Sequence, residues 1–289
     1  MATILVTHGI PGEGFHPLSQ HNVILPPPLT AFSENQLLQL APKADAIVAG
    51  GRVSADVIRA AKNLKIIANY GAGYDAVDVE AAKLCGVPVT NIPDSVTQDT
   101  AELAMGLILA VSRRIGEMNL RLRKEPSETL FGMGRHMGKS LRGQTLGIVG
   151  CGRIGRRTAQ MARAFGMQVV GYCRRGCDPD VATPVSFEAL LEQADIVSLH
   201  CPLTAETRHL MNRAAFTRMK EGAMLINTAR GAVVDTDALL EALESGRLLG
   251  AGLDVFPDEP HVPSALLQHD RVVCTPHIGT NTSLTRCEM

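Results

Sequence analysis

Four polar side chains in the last third of the sequence, Arg230, Asp254, Glu259 and His277, each follow a short apolar run that predicts a β-strand. In a doubly wound α/β sheet the carboxyl ends of the strands line one crevice, so we expect these side chains to converge there. Together they suit the reduction of a ketone. A protonated histidine can donate to the carbonyl oxygen as hydride arrives, a carboxylate favours the charged imidazole, and an arginine can hold a substrate carboxylate.

Three of these residues also have a plainer interpretation. Glu259 stands beside Pro260 and could be a turn carboxylate, and Asp254 could cap a strand end. A histidine after a strand is commonly a capping or core residue, which applies to His277 and equally to His200. For His200 both interpretations, a cofactor contact and a strand cap, stay open.

A glycine motif, Gly150-Cys-Gly152-Arg-Ile-Gly155, lies between the apolar run Thr145–Val149 and a helical pattern that includes Arg156. Gly150 permits the tight turn, Gly152 lets the backbone approach a pyrophosphate, and Gly155 lets the helix pack on the strand. The N-terminus of the following helix attracts the anion. The motif in this context predicts a dinucleotide site.

The strand after the glycine motif ends at Cys173, where a NAD-specific domain usually carries an acidic residue about 20 residues into the motif. Here Cys173, Arg174 and Arg175 follow the strand instead. Two guanidinium groups can pair with a 2′-phosphate that a carboxylate would repel, which favours NADP(H), with NAD(H) still possible. The alternative is a solvated pair of arginines at a strand end.

The strands and helices that position these residues alternate along the chain, and their continuous apolar character predicts an α/β protein with parallel sheets covered by helices. Residues 99–121 are predicted to form one long helix, and residues 124–143 a surface loop. We predict a smaller α/β domain at 1–97, a Rossmann-type dinucleotide-binding domain at 98–276, and a return segment at 277–289. Nine strands are expected, at Ile4–Thr7, Ala46–Val48, Ile66–Asn69, Thr145–Val149, Gln168–Tyr172, Ile196–His200, Met224–Asn227, Ala251–Val255 and Val272–Thr275.

The length, composition and net charge of the chain limit the kinds of partner that it can bind. With 289 residues, 45% hydrophobic, the chain can bury a sizeable core, and a formal net charge of −1 gives no field for nucleic acid or an anionic membrane. No transmembrane span or signal peptide is evident, so we expect a cytoplasmic protein with a small-molecule partner. The seven cysteines are odd in number and scattered, so we expect free thiols and no metal site.

From about Ala46 to the C-terminus the sequence resembles the D-isomer-specific 2-hydroxyacid dehydrogenase family, which includes glyoxylate/hydroxypyruvate reductases, D-lactate dehydrogenases and phosphoglycerate dehydrogenases. The resemblance implies two domains, the smaller of them a flavodoxin-like substrate domain. The residues that carry it are the glycine motif, the segments around Arg230, Glu259 and His277, and Asn69–Asp75, Gly86–Pro93, Thr100–Ala104 and His200–Thr204.

That resemblance assigns roles. Arg230 would bind the substrate carboxylate and carbonyl, His277 would be the acid/base, and Glu259 would hold the imidazole and raise its pKa. Asp254 would hydrogen bond the nicotinamide carboxamide. The predicted substrate contacts are Arg230, His277, Gly50, Gly71, Ala72 and Gly73, and the predicted cofactor contacts are Gly150, Gly152, Arg153, Ile154, Gly155, Cys173, Arg174, Arg175, His200, Pro202, Thr207, Thr228, Ala229, Asp254 and Gly279.

Three further expectations follow. Family members usually continue past Gly279 with a helix that returns to the first domain, and residues 282–289 look like only its opening. The apolar middle of the helix from Asp99 makes it a candidate homodimer surface. The small residues Ala49, Gly50 and Gly51 end a strand that, by the resemblance, faces the substrate, and they would leave room beside the reacting carbon unless they form a simple glycine turn. The competing functions are a non-catalytic NAD(H)-sensing corepressor and a phosphoglycerate-type oxidation.

Overall fold

The computed structural model describes residues 1–10, 12–174 and 176–289. Arg175, assigned above to the cofactor, lies outside these residues. The chain divides into two compact units, which are described separately. Unit 1 comprises residues 1–96 and 280–289, and unit 2 comprises residues 97–279.

Over the described residues, unit 1 contains a parallel five-stranded sheet in the order β2-β1-β3-β4-β5, the flavodoxin-like order. Its core includes Leu5, Ile47, Ile58 and Ile67, all at most 1% exposed. The strands are β1 (Thr3–Val6), β2 (Asn22–Ile24), β3 (Ala46–Ala49), β4 (Ile66–Asn69) and β5 (Val89–Thr90). The helices are α1 (Glu34–Leu40), α2 (Ala55–Ala60) and α3 (Val79–Leu84), with 3₁₀ turns at Gly12–Leu18 and Ala41–Lys43.

Unit 2 contains, over its described residues, a parallel seven-stranded sheet in the order β12-β11-β10-β9-β6-β7-β8. The strands are β6 (Thr145–Val149), β7 (Gln168–Tyr172), β8 (Thr183–Pro184), β9 (Ile196–Leu199), β10 (Ala223–Asn227), β11 (Leu248–Leu253) and β12 (Val272–Cys274). The strand order reverses between β6 and β9, which is where such sheets bind their ligands. The predicted α/β class with a Rossmann-type sheet and a smaller flavodoxin-like sheet is confirmed.

The helices of unit 2 cover both faces of this sheet, as a parallel sheet requires. No helix in the described part of the chain is long and apolar enough to cross a bilayer. The helices are α4 (Thr97–Ser112), α5 (Ile115–Lys124), α6 (Arg153–Ala164), α7 (Phe187–Gln193), α8 (Arg213–Arg218), α9 (Thr236–Glu244) and α10 (Ser264–Gln268), with 3₁₀ turns at Ser127–Thr129 and Gly231–Val233. A last helix, α11 (Ser283–Glu288), belongs to unit 1.

The prediction of one helix over residues 99–121 is wrong, because the helix is broken between α4 and α5. Arg114, the residue before α5, adopts a left-handed backbone conformation with φ 55°. Its guanidinium forms a two-pronged pair with Glu117, with Nε and Oε2 2.7 Å apart. That local ion pair stabilises a break that the apolar periodicity did not show.

The apolar middle of α4 is also not an exposed face. Met105, Leu107, Ile108 and Val111 are each at most 5% exposed and belong to a core cluster with strands of the same unit. The basis on which this helix was predicted as a dimer surface is therefore wrong, since its apolar side chains are covered within the unit.

The expectation that every cysteine is a free thiol is wrong for one pair. Cys151 and Cys177 form a disulfide, with their Cα atoms 5.8 Å apart. They are separated by 26 residues in sequence, but Cys151 follows β6 and Cys177 follows the neighbouring strand β7. Strand pairing brings the two loops together, and no sequence spacing signals this.

Candidate functional site

Arg230 follows β10 in a loop whose conformation is fixed by backbone packing. The buried Asn227 side chain donates to the Arg230 carbonyl at 2.9 Å and accepts from the Ala229 amide at 3.0 Å. A Cβ on Gly231 would lie 1.9 Å from the Phe256 carbonyl carbon, so only glycine lets this loop approach the segment after β11. The close approach carries Arg230 towards Glu259.

His277 and Glu259 form a direct pair. Nδ1 of the imidazole lies 2.7 Å from Oε2 of Glu259, and the other carboxylate oxygen accepts from the Phe256 amide at 2.9 Å. His277 has φ 51°, a left-handed conformation uncommon outside glycine that is often found at functional sites. Its side chain is 49% exposed, so the ring is held by Glu259 yet open on its other side.

The electrostatics of the pair favour an ionised Glu259. Burial raises the pKa of Glu259, but hydrogen bonds from His277 and the Phe256 amide, with the nearby charges of His277 and Arg230, lower that pKa below its ordinary value. The contribution of Arg230 means that its guanidinium lies within electrostatic reach of the carboxylate. The structure thus brings together three predicted residues, Arg230, Glu259 and His277.

Asp254 fixes the loop that carries His277. Its carboxylate is 1% exposed and accepts from the Thr275 hydroxyl at 2.7 Å and from the amides of Ile278 and Gly279, each at 2.9 Å. Its backbone carbonyl also accepts from the His277 amide at 2.8 Å. The predicted contact of Asp254 with a carboxamide stays a prediction.

The glycine motif forms a tight turn between β6 and α6. Gly150 has φ +99°, and a Cβ there would lie 2.7 Å from the backbone of His200 and Cys201. A Cβ on Gly155 would lie 2.2 Å from the Gly150 carbonyl oxygen, whereas Gly152, the residue before α6, faces open space. The first turn of α6, with Arg153 and Ile154, therefore presents its amides beside an open approach, as anion binding at a helix N-terminus requires.

Two buried polar atoms near this turn have no hydrogen-bond partner among the described residues: Nδ1 of His200 and Oγ1 of Thr228. The other ring nitrogen of His200 lies 2.9 Å from the Ser198 hydroxyl. Burial lowers the pKa of His200 to about 4, so this ring is neutral near pH 7. Buried polar groups without partners are rare, and a polar ligand at the ends of β9 and β10 would satisfy them.

The remaining predicted cofactor residues of unit 2 line the same edge of the sheet. Thr207 donates to the Pro202 carbonyl at 2.6 Å and fixes the loop after β9. Ala229 is 8% exposed beside Thr228. At the end of β7, Cys173 is half-buried, and the exposed Arg174 lies 3.9 Å from Glu206.

The predicted substrate residues of unit 1 follow strands β3 and β4. The Gly50 amide donates to Thr7, and a Cβ on Gly50 would lie 3.0 Å from His8. After β4, the buried Asn69 side chain donates to the carbonyls of Gly71 and Gly73, each at 2.9 Å.

The backbone amides of the loop after β4 differ in whether they already form a hydrogen bond. The Gly71 amide is already bound to the Asn69 carbonyl at 2.9 Å, and the Ala72 carbonyl accepts from the Asn91 side chain. The amides of Ala72 and Gly73 make no backbone hydrogen bond among the described residues. Of the three predicted substrate contacts in this loop, Ala72 and Gly73 therefore have backbone amides that remain available to a ligand.

The sequence predicted the residues that face the site, but not the residues that fix the conformation of its loops. Asn227 and Asn69 each stand at the last position of a buried strand, where an amide side chain that is 5% exposed or less must find backbone partners. A polar residue ending an otherwise apolar strand is the signal that could have found them. Nothing in the sequence indicated that Asp254 binds three donors of one loop.

This chain is similar over most of its length to known reductases. The profile of the D-isomer specific 2-hydroxyacid dehydrogenase, NAD binding domain, matches residues 105–279. A hydroxypyruvate reductase from Thermotoga maritima is 42% identical over 260 residues, which cover 87% of this chain and 83% of that protein. A glyoxylate reductase from Thermococcus litoralis is 41% identical over 293 residues, 98% of this chain and 88% of that protein.

A solved structure resembles the whole chain. It is a crystal structure of an NADPH-dependent glyoxylate/hydroxypyruvate reductase from Sinorhizobium meliloti in complex with NADP and malonate. The TM-score is 0.86 with 31% sequence identity, and the match covers 99% of this chain and 89% of that one.

Proposed function

Because this chain belongs to the D-isomer specific 2-hydroxyacid dehydrogenase family, an oxidoreductase family with a nicotinamide dinucleotide-binding domain, we propose that it reduces small 2-keto acids to D-2-hydroxy acids. Glyoxylate and hydroxypyruvate, named in its relatives, are the proposed substrates. The single observation that carries the proposal is the His277–Glu259 pair, 2.7 Å apart, within electrostatic reach of Arg230.

His277 is the proposed proton donor. Nδ1 of its ring is engaged by Glu259, which leaves Nε2 as the nitrogen that faces a substrate carbonyl oxygen. The Glu259 carboxylate fixes the ring through Nδ1, and protonation of the oxygen by Nε2 neutralises the alkoxide as it forms. His200 is unsuited to this role, because its ring is neutral near pH 7.

Arg230 is the proposed anchor for the 2-keto acid. A planar guanidinium binds a carboxylate through two parallel hydrogen bonds and can also polarise the adjacent carbonyl oxygen. The Asn227 side chain and the close packing of Gly231 fix the backbone from which it projects. The charge of Arg230 thus positions the substrate without taking part in proton transfer. The amides of Ala72 and Gly73 are proposed to bind the same carboxylate.

The residues present fit a dinucleotide. Gly150 and Gly155 keep the turn free of Cβ atoms, the first turn of α6 opens towards Gly152, and His200 and Thr228 hold unsatisfied polar atoms. When bound, the nicotinamide supplies the hydride that reduces the carbonyl carbon. The glycine turn and α6 would hold the pyrophosphate, and Asp254 and Gly279 would lie beside the nicotinamide end.

NADP(H) is the proposed preferred cofactor. The chain has Cys173 and Arg174 where a carboxylate would otherwise repel a 2′-phosphate, and the S. meliloti relative is bound to NADP. Arg174 is exposed and its contact with Glu206 at 3.9 Å is a weak surface ion pair, so that contact itself costs little to break.

The test is the initial rate of NADPH and NADH oxidation by the purified chain with glyoxylate and with hydroxypyruvate. We expect turnover of both acids and a kcat/KM for NADPH at least about tenfold above that for NADH, since one charged hydrogen bond contributes about 1.5–3 kcal/mol. Arg174→Ala should reduce that preference and leave the NADH rate unchanged, with Arg208→Ala as the control for a lost surface charge.

Two outcomes would contradict the proposal at different levels. A preference for NADH would overturn the cofactor assignment alone. Tight cofactor binding with no turnover of either keto acid would overturn the reductase assignment and favour a dinucleotide-sensing protein.

A further inference from the structure

Among the described residues, three cysteine sulfurs meet at the dinucleotide edge of unit 2. The sulfurs of Cys151, Cys173 and Cys177 all lie within 4.8 Å of one another, and Cys151 is joined to Cys177. None of these sulfurs takes part in the proposed reduction.

The cluster connects the two segments that are proposed to hold the phosphates. Cys151 stands between Gly150 and Gly152 of the glycine motif, and Cys173 is the first residue after β7. Cys177 follows it by four positions, beyond Arg174. A bond between residues 151 and 177 therefore ties the pyrophosphate turn to the segment that carries the ribose-facing arginine.

The space for the sulfurs is built into the sheet. A Cβ on Gly171 would lie 2.7 Å from the sulfur of Cys151 and 2.7 Å from that of Cys177. It would also lie 2.8 Å from Cβ of Ala182. Gly171 sits within β7, where glycine is unfavourable, so its lack of a side chain has a specific use here, which is to admit the two sulfurs.

The cluster is accessible, unlike another cysteine of the same unit. All three of its residues are half-buried, whereas Cys201 is 8% exposed and burial raises the pKa of its thiol to about 11. Cys151 also lies two residues before α6, where the positive end of the helix dipole favours a thiolate. Accessible sulfurs beside a resolving cysteine are typical of redox-sensitive sites.

We propose that Cys151 and Cys177 form a reversible peroxide-oxidised site that weakens binding of NADP(H), an inference that rests on the function proposed above. The Cys151 thiolate attacks hydrogen peroxide, so that an S–O bond forms, the O–O bond breaks and hydroxide leaves. The Cys177 thiol then attacks that sulfur, which forms the S–S bond and releases the second oxygen as water. Two thiols lose two electrons and two protons, and peroxide becomes two waters.

The reverse step uses a dithiol. Its thiolate attacks one sulfur of the disulfide, and its second thiol releases the reduced pair while the dithiol becomes a cyclic disulfide. Cys173, within 4.8 Å of both sulfurs, can enter the same exchange from inside the protein. The site therefore passes reversibly between a dithiol form and a disulfide form.

The disulfide is expected to lower the affinity for NADP(H) because it restricts the backbone that carries Arg174. In the oxidised state residue 177 is fixed to the glycine turn, and the Arg174 guanidinium lies 3.9 Å from Glu206. For Arg174 to reach a ribose phosphate, the backbone around it must move away from Glu206. The crosslink at residue 177, three positions further along the chain, resists that movement. By reciprocity, bound NADPH makes the disulfide easier to reduce.

The experiment compares the full chain after hydrogen peroxide with the same chain after dithiothreitol. Peptide mass spectrometry without reduction should show the 151–177 crosslink, and NADPH fluorescence should give a dissociation constant about tenfold higher for the oxidised form, within the usual range of coupling between sites. Cys177→Ser should remove both the crosslink and the difference in affinity. Cys85→Ser, at an exposed cysteine of unit 1, is the control and should retain both.

Three results would overturn the inference. One is the absence of the crosslink after peroxide treatment, and another is a crosslink that leaves NADPH affinity unchanged or raises it. The third is one tightly held zinc ion per reduced chain, bound by the three thiolates, which would make the cluster a metal site. Each readout is independent of turnover, so failure of the keto-acid reductase assignment would be seen separately.

Discussion

At the scale of single residues, the surroundings of two histidines distinguish a proton donor from a structural ring. His277 is half-exposed and paired with Glu259, whereas His200 is kept neutral near pH 7 by burial. Both follow apolar strands in the sequence, and only the family resemblance assigned the acid/base role to His277. The difference lies in the contacts of the rings, which depend on the loops around them.

Replacement of His277 by alanine is expected to lower kcat for hydroxypyruvate reduction by about 10²–10⁴-fold, because the proton donor is lost. NADPH affinity should be unchanged, since the change lies outside the glycine turn. Steady-state kinetics and NADPH fluorescence measure the two quantities. His261→Ala, at an exposed histidine of the same unit, is the matched control, and equal rates for both variants would exclude His277 as the donor.

The pH dependence of activity should depend on Glu259. Its pKa is lowered below the ordinary 4.5, so the carboxylate is ionised at and above that pH and the His277–Glu259 pair is lost only as pH falls through the lowered value. We expect wild-type kcat/KM to be unaffected by Glu259 titration between pH 5 and 7, on the basis of that shift.

Glu259→Gln removes the charge at every pH and should lower kcat by roughly 10²-fold, with the deficit present across the neutral range. The loss of activity that accompanies protonation of Glu259 at low pH should also be missing from this variant, because the amide does not titrate. A variant with a wild-type pH profile from 4 to 8 would show that the carboxylate has no influence on the donor.

At the scale of elements, the site depends on two loops that approach one another without side chains between them. Gly231→Ala would place a Cβ 1.9 Å from the Phe256 carbonyl carbon, which is backbone and cannot move aside cheaply. We expect a loss of roughly 2–3 kcal/mol of unfolding free energy and a parallel loss of activity, measured by urea unfolding and initial rates.

Gly106→Ala is the control for that change. A Cβ on Gly106, within helix α4, meets no atom within 4 Å. Because alanine is the better helix former, this variant should be unchanged or gain up to about 1 kcal/mol. Similar destabilisation by both substitutions would refute the close approach of the two loops.

The sequence predicted the elements best where many residues contributed to one signal. The nine predicted strands all occur within a few residues of their expected bounds, because buried parallel strands consist of continuous apolar runs. Strands β2, β5 and β8 were missed, and each is an edge strand of two or three residues. Edge strands pair on one side only and need little apolar character.

Features set by one local contact were harder to predict. The break at Arg114 depends on its pair with Glu117, and the Cys151–Cys177 disulfide depends on the pairing of β6 with β7. The ordered segments around Arg230, Glu259 and His277 predicted which residues lie together in unit 2. Their support by Asn227 and by the Asp254 carboxylate emerged only with the loop conformations.

At the scale of the whole molecule, the homodimer remains a prediction, with a different surface from the one first expected. The apolar side chains of α4 are covered within unit 2, whereas Leu120 and Leu122 of α5 and Phe131 and Met133 of the following loop are 43–105% exposed. Exposed apolar groups of this kind are typical of a protein interface.

We expect the purified chain to have twice its monomer mass by light scattering, and Leu122→Glu to have the monomer mass because a charge would be buried at the interface. Leu84→Glu, at an exposed leucine of unit 1, should remain a dimer. A wild-type chain that is monomeric at micromolar concentration would contradict the prediction.

The configuration of the product tests directly whether this chain reduces 2-keto acids to D-2-hydroxy acids. The purified chain, supplied with NADPH and hydroxypyruvate, should consume the two in equal amounts and form D-glycerate, as resolved by chiral chromatography. Formation of L-glycerate, or no product from protein saturated with NADPH, would contradict the account of this chain as a reductase of 2-keto acids to D-2-hydroxy acids.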